Sequence, residues 1–240
     1  MNILVTGGLG LIGHNVVRRL QAQGHTVSII DTKTNYDIIP QEEIDHLIAQ
    51  RSQGLDLTKY YCLDIVNKWT IESCFSVDKP EIVIHMASFP RQKVVNAHPG
   101  RGSRTMSEGL LNLLDHSNTH QVRKFIYISS SMIYGDFKDD VTEDAECRPQ
   151  GQYGILKLAG EWLVKDYARR SNLAYTIIRP SAVYGPLDVE DRVISKFILN
   201  AMRGIPLKVN GAGETLDFTY VDDAADGIVA AATRIMSRNG

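Results

Sequence analysis

An excess of charge of one sign is missing from this sequence. Lys and Arg total 26 against 28 Asp and Glu. The net charge of −2 gives no electrostatic case for a nucleic-acid or membrane partner. Long apolar runs are also missing, and none approaches the length of a membrane-spanning helix. No basic segment precedes the first apolar residues, which argues against a signal peptide. Cysteine is scarce. Cys62, Cys74 and Cys147 are odd in number, scattered and without metal-ligand spacing, so they read as reduced thiols of a cytoplasmic protein. The seven histidines are expected to form no ligand cluster, and no metal is expected. Internal repeats, low-complexity tracts and a clean domain linker are absent. What remains is 240 residues, 43% of them hydrophobic, which suits one large α/β domain or one domain with a small appendage.

The most informative stretch is the first. Asn2 to Thr6 reads as an apolar strand, Gly7, Gly10 and Gly13 punctuate a tight turn, and Leu11 to Gln23 reads as a helix. Strand, glycine turn and helix make a dinucleotide-binding fingerprint. One glycine allows the turn, one lets backbone approach a pyrophosphate, and one lets helix and strand pack closely. The pyrophosphate would sit at the helix N-terminus, near Leu11 and Ile12, where unpaired N–H groups and the helix dipole favour negative charge.

Further along, Thr26 to Ile30 is a second strand ending at Asp31, 18 residues after Gly13. A carboxylate there can accept hydrogen bonds from ribose hydroxyls and would repel a 2′-phosphate, favouring NAD over NADP. Lys33 works against that preference, and Asp31 could also be a simple turn or cap residue. Gln41 to Arg51 reads as a helix and Tyr60 to Leu63 as a third strand. Asp64, followed by Ile65, is placed either to meet an adenine or to cap a helix from Asn67 to Phe75. Glu81 to His85 is a fourth strand running into Met86, Ala87 and Ser88, small or apolar residues beside which a cofactor could lie. His85 is expected to pack. Phe89 to Arg104 reads as a loop lining a ligand cleft, before a helix from Thr105 to His116. Lys124 to Ser129 is a fifth strand, leading into Ser130 and Ser131. The acidic stretch Asp139 to Asp144 reads as solvated surface. A long helix runs from Tyr153 to Arg170, a sixth strand from Ala174 to Arg179, and another helix from Val193 to Arg203. Leu207 to Val209 and Asp217 to Tyr220 read as short extended pieces, and Asp222-Asp223 as the cap of a last helix to about Met236. Alternating strands and helices predict a parallel sheet covered on both faces.

Tyr153 and Lys157 lie four residues apart and share a helix face. A nearby ammonium and a nicotinamide cation would favour the phenolate, which could exchange a proton with a substrate hydroxyl as hydride moves. Ser130 could donate to the same oxygen. Together they would form a carbonyl/alcohol redox site, although Tyr and Lys at this spacing also occur by chance.

These stretches, in this order, resemble the extended short-chain dehydrogenases/reductases of the nucleotide-sugar epimerase/dehydratase family. The matching segments are Thr6 to Gly13, Asp31, Asp64-Ile65, His85 to Ser88, Ser129 to Gly135, Tyr153 to Lys157, Arg179 to Pro186 and Asp217 to Asp223. The resemblance implies a doubly wound parallel sheet (Rossmann) over residues 1–180. Residues 181–240 would then be a small, truncated C-terminal substrate-binding part interleaved with it. It implies tightly held NAD, a catalytic Ser130, Tyr153 and Lys157, and a nucleotide-diphosphate sugar as substrate. It places Gly7, Gly10, Leu11, Ile12, Gly13, Asp31, Asp64, Ile65, Met86, Ala87, Ser88, Ser129, Tyr153, Lys157 and Pro180 at the cofactor, and Ser130, Ser131, Tyr153 and Arg192 at the substrate. It also implies a homodimer packed through the helices after Met106 and at Tyr153.

The departures narrow the chemistry. The dehydratases of the family carry an Asp-Glu pair after the catalytic Thr. Here those positions are Ser131 and Met132, so epimerisation through a transient keto-sugar is the expected reaction. A keto-sugar or carbonyl reductase, or a non-catalytic dinucleotide-binding protein, are the alternatives. Ala182 replaces a usual Asn, Leu216 a usual Arg and Met106 a usual Asn. Arg192 or Arg203 could supply the missing positive charge, or be surface residues. The chain also stops early relative to the family, either as a truncation or with a reduced substrate cap.

Overall fold

In the computed structural model, residues 1–34, 36, 39–136, 141–209 and 216–234 are described. The chain opens with β1 (Asn2–Thr6), α1 (Leu11–Ala22), β2 (Thr26–Ile30), α2 (Gln41–Ser52), β3 (Tyr60–Tyr61), α3 (Lys68–Asp78) and β4 (Ile82–His85). It continues through α4 (Gln92–Ala97), α5 (Pro99–Ser103), a π-helical turn (Arg104–Gly109), α6 (Leu110–Thr119) and β5 (Lys124–Ile128). A 3₁₀ turn (Ser131–Tyr134), α7 (Gly151–Arg170), β6 (Ala174–Ile178), α8 (Val193–Met202) and α9 (Val221–Thr233) complete it.

The six strands form one sheet in the order β3-β2-β1-β4-β5-β6, and every pairing is parallel. This is the doubly wound order, whose direction reverses between β1 and β4 and opens a crevice at the carboxyl ends of the strands. Alternation along β1 divides the core. Ile3 and Val5 join Val16, Val17 and Leu20 of α1 and Ile228 and Val229 of α9 on one face. Leu4 joins Phe75, Leu110, Leu113, Phe125 and Val164 on the other. Two ion pairs, Arg19–Asp222 at 2.7 Å and Arg19–Asp226 at 2.6 Å, tie α9 to α1.

The glycine turn is fixed by sterics. Gly7 has a φ of +73°, and a Cβ there would press on the Met86–Ala87 backbone at the end of β4. At Gly13 a Cβ would strike the Gly7 carbonyl oxygen, so only glycine lets α1 start this close to the turn.

Several sequence expectations need correction. The stretch 89–104 is not one loop but holds α4, α5 and the start of a π turn. Asp64 does not cap α3. Its Oδ1 accepts the Val66 N–H (3.0 Å) in its own turn, while Asn67 is the N-cap and accepts from Thr70 N. Asp222 and Asp223 are first-turn acids of α9, whose N-cap is Tyr220. No strand forms at 207–209 or 217–220; Tyr220 makes only an isolated bridge to Tyr184. Asp139 and Asp140 of the acidic stretch, and Met236, lie outside the described residues. No helix among the described residues is long and apolar enough to cross a membrane.

Candidate active site

A cavity of about 1020 Å³ lies over the carboxyl ends of β1, β2, β4, β5 and β6. The residues singled out from the sequence converge on it. Gly7, Gly10, Leu11, Ile12, Gly13 and Asp31 line one side, with Asp64 and Ile65 nearby. Met86, Ala87, Ser88, Ser129 and Pro180 form the floor, and Ser130, Ser131, Tyr153, Lys157 and Arg192 line it as well.

The floor is held by hydrogen bonds between strand ends. Thr6 Oγ1 lies 2.8 Å from His85 Nδ1 and accepts the Ala87 N–H at 3.2 Å. His85 is therefore a packed, hydrogen-bonded side chain, and burial pushes its pKa down to about 3. Ser129 N donates to Ile178 O (2.7 Å) and Ser131 N to Pro180 O (3.1 Å), joining the ends of β5 and β6. Ser130 caps the 3₁₀ turn, its Oγ accepting the Met132 N–H at 3.2 Å. That leaves its own O–H to donate into the cavity, which Tyr153 also lines.

Tyr153 and Lys157 lie on the buried face of α7. Lys157 Nζ donates to the Ile128 carbonyl at 2.8 Å and sits 5.8 Å from the Tyr153 ring centroid. Burial lowers the Lys157 pKa to about 7. Burial raises that of the Tyr153 phenol, while the Ser130 hydrogen bond and the Arg192 charge pull it back down. α7 reaches this depth because its Gly160 faces the Tyr127 hydroxyl, where a Cβ would collide. Its first turn is held by Gln92, whose Oε1 accepts the Tyr153 N–H at 3.1 Å.

Charge around the cavity is largely paired. Arg192 Nη2 donates to Val183 O at 3.2 Å and its Nε lies 3.5 Å from Asp188. Arg91 pairs with Asp191 at 2.7 Å. Arg51 is buried, its Nη2 donating to Leu187 O at 2.6 Å and its Nη1 to Leu9 O at 3.3 Å. Asp31 accepts the Leu9 N–H (3.0 Å) on one oxygen and the Lys33 N–H (2.8 Å) on the other. Desolvation raises the Asp31 pKa and these bonds oppose it. The Lys33 ammonium lies over the Tyr60 ring at 4.7 Å. Arg203 is outside the cavity, 3.5 Å from Glu190.

Arg51, Arg91 and Gln92 escaped the sequence reading. Arg51 looks like an ordinary last-turn arginine, and Gln92 was expected in a loop. Nothing local marks either as turned inward. Met106 is buried with Phe89, Val94, Val95 and Tyr153. Leu216 reaches the cavity rim. Ala182 also lines it, with a φ of +32° that a side-chain-bearing residue rarely adopts and Asn tolerates better than Ala. Outside the cavity lining, the fold brings His116, His120 and Glu72 together.

The family described as NAD dependent epimerase/dehydratase matches residues 3–239. The chain belongs to that family. Its relatives include a probable UDP-glucuronate 4-epimerase of Rhizobium meliloti (strain 1021), 29% identical over 95% of this chain and 67% of that protein. Among solved structures, the UDP-glucuronic acid 4-epimerase of Bacillus cereus in complex with UDP-glucuronic acid and NAD superposes with a TM-score of 0.87 at 29% identity. It is covered over 98% of this chain and 74% of its own. The UDP-glucose 4-epimerase of Thermotoga maritima with UDP-glucose gives a TM-score of 0.85 at 31% identity, over 96% and 73%. This epimerase/dehydratase chain spans 67–74% of the length of these relatives and carries the six-stranded sheet.

Proposed function

We propose that this chain is an NAD-dependent 4-epimerase of a UDP-sugar, working through a transient keto-sugar. The observation that carries the reading is the convergence of Ser130, Tyr153 and Lys157 on the crevice at the sheet's switch point, beside an uncapped helix N-terminus.

The residues present fit the dinucleotide. α1 has no side-chain cap and no acid in its first turn, so its amino end is free to face a pyrophosphate. Gly10 lines the cavity there. Ser129 Oγ is buried without a hydrogen-bond partner among the described residues. Asp31 keeps lone pairs beyond its two backbone bonds for ribose hydroxyls. The carboxylate favours NAD over NADP, and Lys33, turned onto Tyr60, does not offset it. NAD bound there would supply the acceptor, and later the donor, of the hydride.

The chain's own residues handle the proton. Tyr153 would take it from the sugar hydroxyl and return it, and Ser130 would donate to the same sugar oxygen. Lys157, fixed on the Ile128 carbonyl, would favour the phenolate when charged. Ser131 is bonded to Pro180 O through its backbone, and Met132 packs against the Tyr153 cluster. Neither supplies the carboxylate that water elimination needs, which favours epimerisation. Residues 1–180 would carry the cofactor and 181–240 the sugar side, where Arg192 offers a cation. We also propose a homodimer through α7, whose Ile155 (52% exposed) and Trp162 (64% exposed) project from one face.

The test is incubation of the purified chain with UDP-glucose, UDP-glucuronic acid and UDP-N-acetylglucosamine, followed by chromatography of the sugar nucleotides. A 4-epimer formed without net consumption of NADH is expected. Bound NAD with no epimer from any sugar would overturn the reading, and stoichiometric NADH oxidation with a keto-sugar would replace it by a reductase.

A further inference from the structure

We propose that Glu72, His116 and His120 form a zinc site that clips α3 to α6, separate from the cavity. His116 lies in the last turn of α6 and His120, four residues on, is its C-cap, so both rings stand at the same end of the helix. Glu72 on α3 meets them. One ligand atom from each lies within 4.8 Å of the others.

The contacts specify what the site takes. His116 Nε2 lies 3.1 Å from the Lys68 carbonyl oxygen, which can only accept, so this nitrogen carries the hydrogen. His116 Nδ1 then faces Glu72 Oε2 at 2.7 Å. That nitrogen meets the carboxylate as a donor when the ring is protonated, and is a lone pair able to ligate a cation when the ring is neutral. His120 Nε2 aims at the same carboxylate, 3.0 Å from Oε1 and 3.1 Å from Oε2. Two imidazoles and one carboxylate are a donor set suited to zinc, with a fourth position left for water. The His116 bond to a backbone carbonyl is the outer-shell contact that orients metal-ligating histidines.

The ligands are also held in place. Phe75 lies against both rings, with centroids 5.4 Å from His116 and 5.6 Å from His120. Ser76 Oγ donates to Glu72 Oε1 at 2.8 Å. The Glu72 side chain is 42% exposed, which gives an ion a path from solvent. α3 and α6 flank the sheet away from Ser130 and Tyr153, so the site serves stability and takes no part in turnover. It does not rest on the proposed epimerase activity.

The test uses the whole chain without a histidine tag, stripped with chelator and titrated with Zn²⁺ by calorimetry. One equivalent per chain is expected, with a Tm rise of about 5–10 °C at a hundredfold excess over Kd. Glu72→Gln and His120→Gln should each weaken binding at least about tenfold, while Cys62→Ser leaves it unchanged. Co²⁺ should give visible d–d bands without a thiolate charge-transfer band. Absence of stoichiometric Zn²⁺ binding by the wild type would show a plain imidazole–carboxylate pair and overturn the site. Unchanged binding in both Glu72→Gln and His120→Gln, or a thiolate band lost in Cys62→Ser, would overturn it equally.

Discussion

At the residue scale, four side chains set separate measurable properties. Tyr153→Phe removes only the phenolic oxygen from a ring that is already packed against Met106 and Phe89. Loss of a general acid–base group costs about 10²–10⁴-fold. Turnover should fall by that factor while NAD stays bound, as read by epimer formation and by the cofactor released on denaturation. Asp31→Ala deletes the charged acceptor at the end of β2. NAD affinity should fall about 10- to 100-fold and the margin over NADP should narrow, as measured by fluorescence titration with both. His85 and His14 set acid sensitivity. Burial lowers their pKa values to about 3 and about 4, from 6.5. Between those values and 6.5 the unfolded chain binds protons that the native chain refuses, so stability falls as pH drops through this window. Chemical denaturation at pH 7, 6, 5 and 4 should show a steadily lower midpoint, and His85→Gln should flatten the slope.

At the element scale, the depth of α7 decides the site. Lys157 meets the end of β5 because Gly160 rides on Tyr127 with no room for a Cβ. Gly160→Val should push the helix outward, costing about 1–3 kcal/mol as overpacking. It should also reduce turnover, because Lys157 loses its hold on the Ile128 carbonyl. Thermal unfolding and kinetics on the same variant separate the two effects. Behind the site, Glu161 is fully buried and grips Arg179 through both carboxylate oxygens, at 2.9 and 2.8 Å. Arg179 in turn holds Tyr134 at 2.6 Å, so the end of β6, the 3₁₀ turn and α7 form one hydrogen-bonded unit. The strands and α7 were legible in the sequence because their cues are local, in apolar runs and helical spacing. The short helices over 92–103 and the π turn were not. Pro99, Gly100 and Gly102 there mimic a loop, and the helical turns are held by packing of Val94 and Val95 against Phe89 and Tyr153.

For the whole molecule, the sheet order and the cavity are one fact. The reversal of winding between β1 and β4 opens the crevice into which the glycine turn, Asp31, Ser130 and α7 all project. The outer face of α7 carries Ile155 and Trp162 into solvent, an apolar pair seven residues apart. Trp162→Asp should convert a dimer to a monomer in light scattering after size exclusion, with Tm little changed if the protomer core is independent. A wild type that is monomeric at tens of micromolar would remove this part of the proposal.

The parallel α/β layering, the glycine turn and the shared helix face of Tyr153 and Lys157 are all legible in the residue order. Strand alternation, glycine sterics and helical spacing act between near neighbours and are written in order along the chain. Which distant groups meet is set by the three-dimensional packing. It turned Lys33 onto Tyr60, buried Arg51 against two carbonyls, brought Gln92 to the start of α7 and set Glu72 between two histidines 44 and 48 residues away. Those contacts depend on how helices pack across a sheet, and no local pattern encodes them.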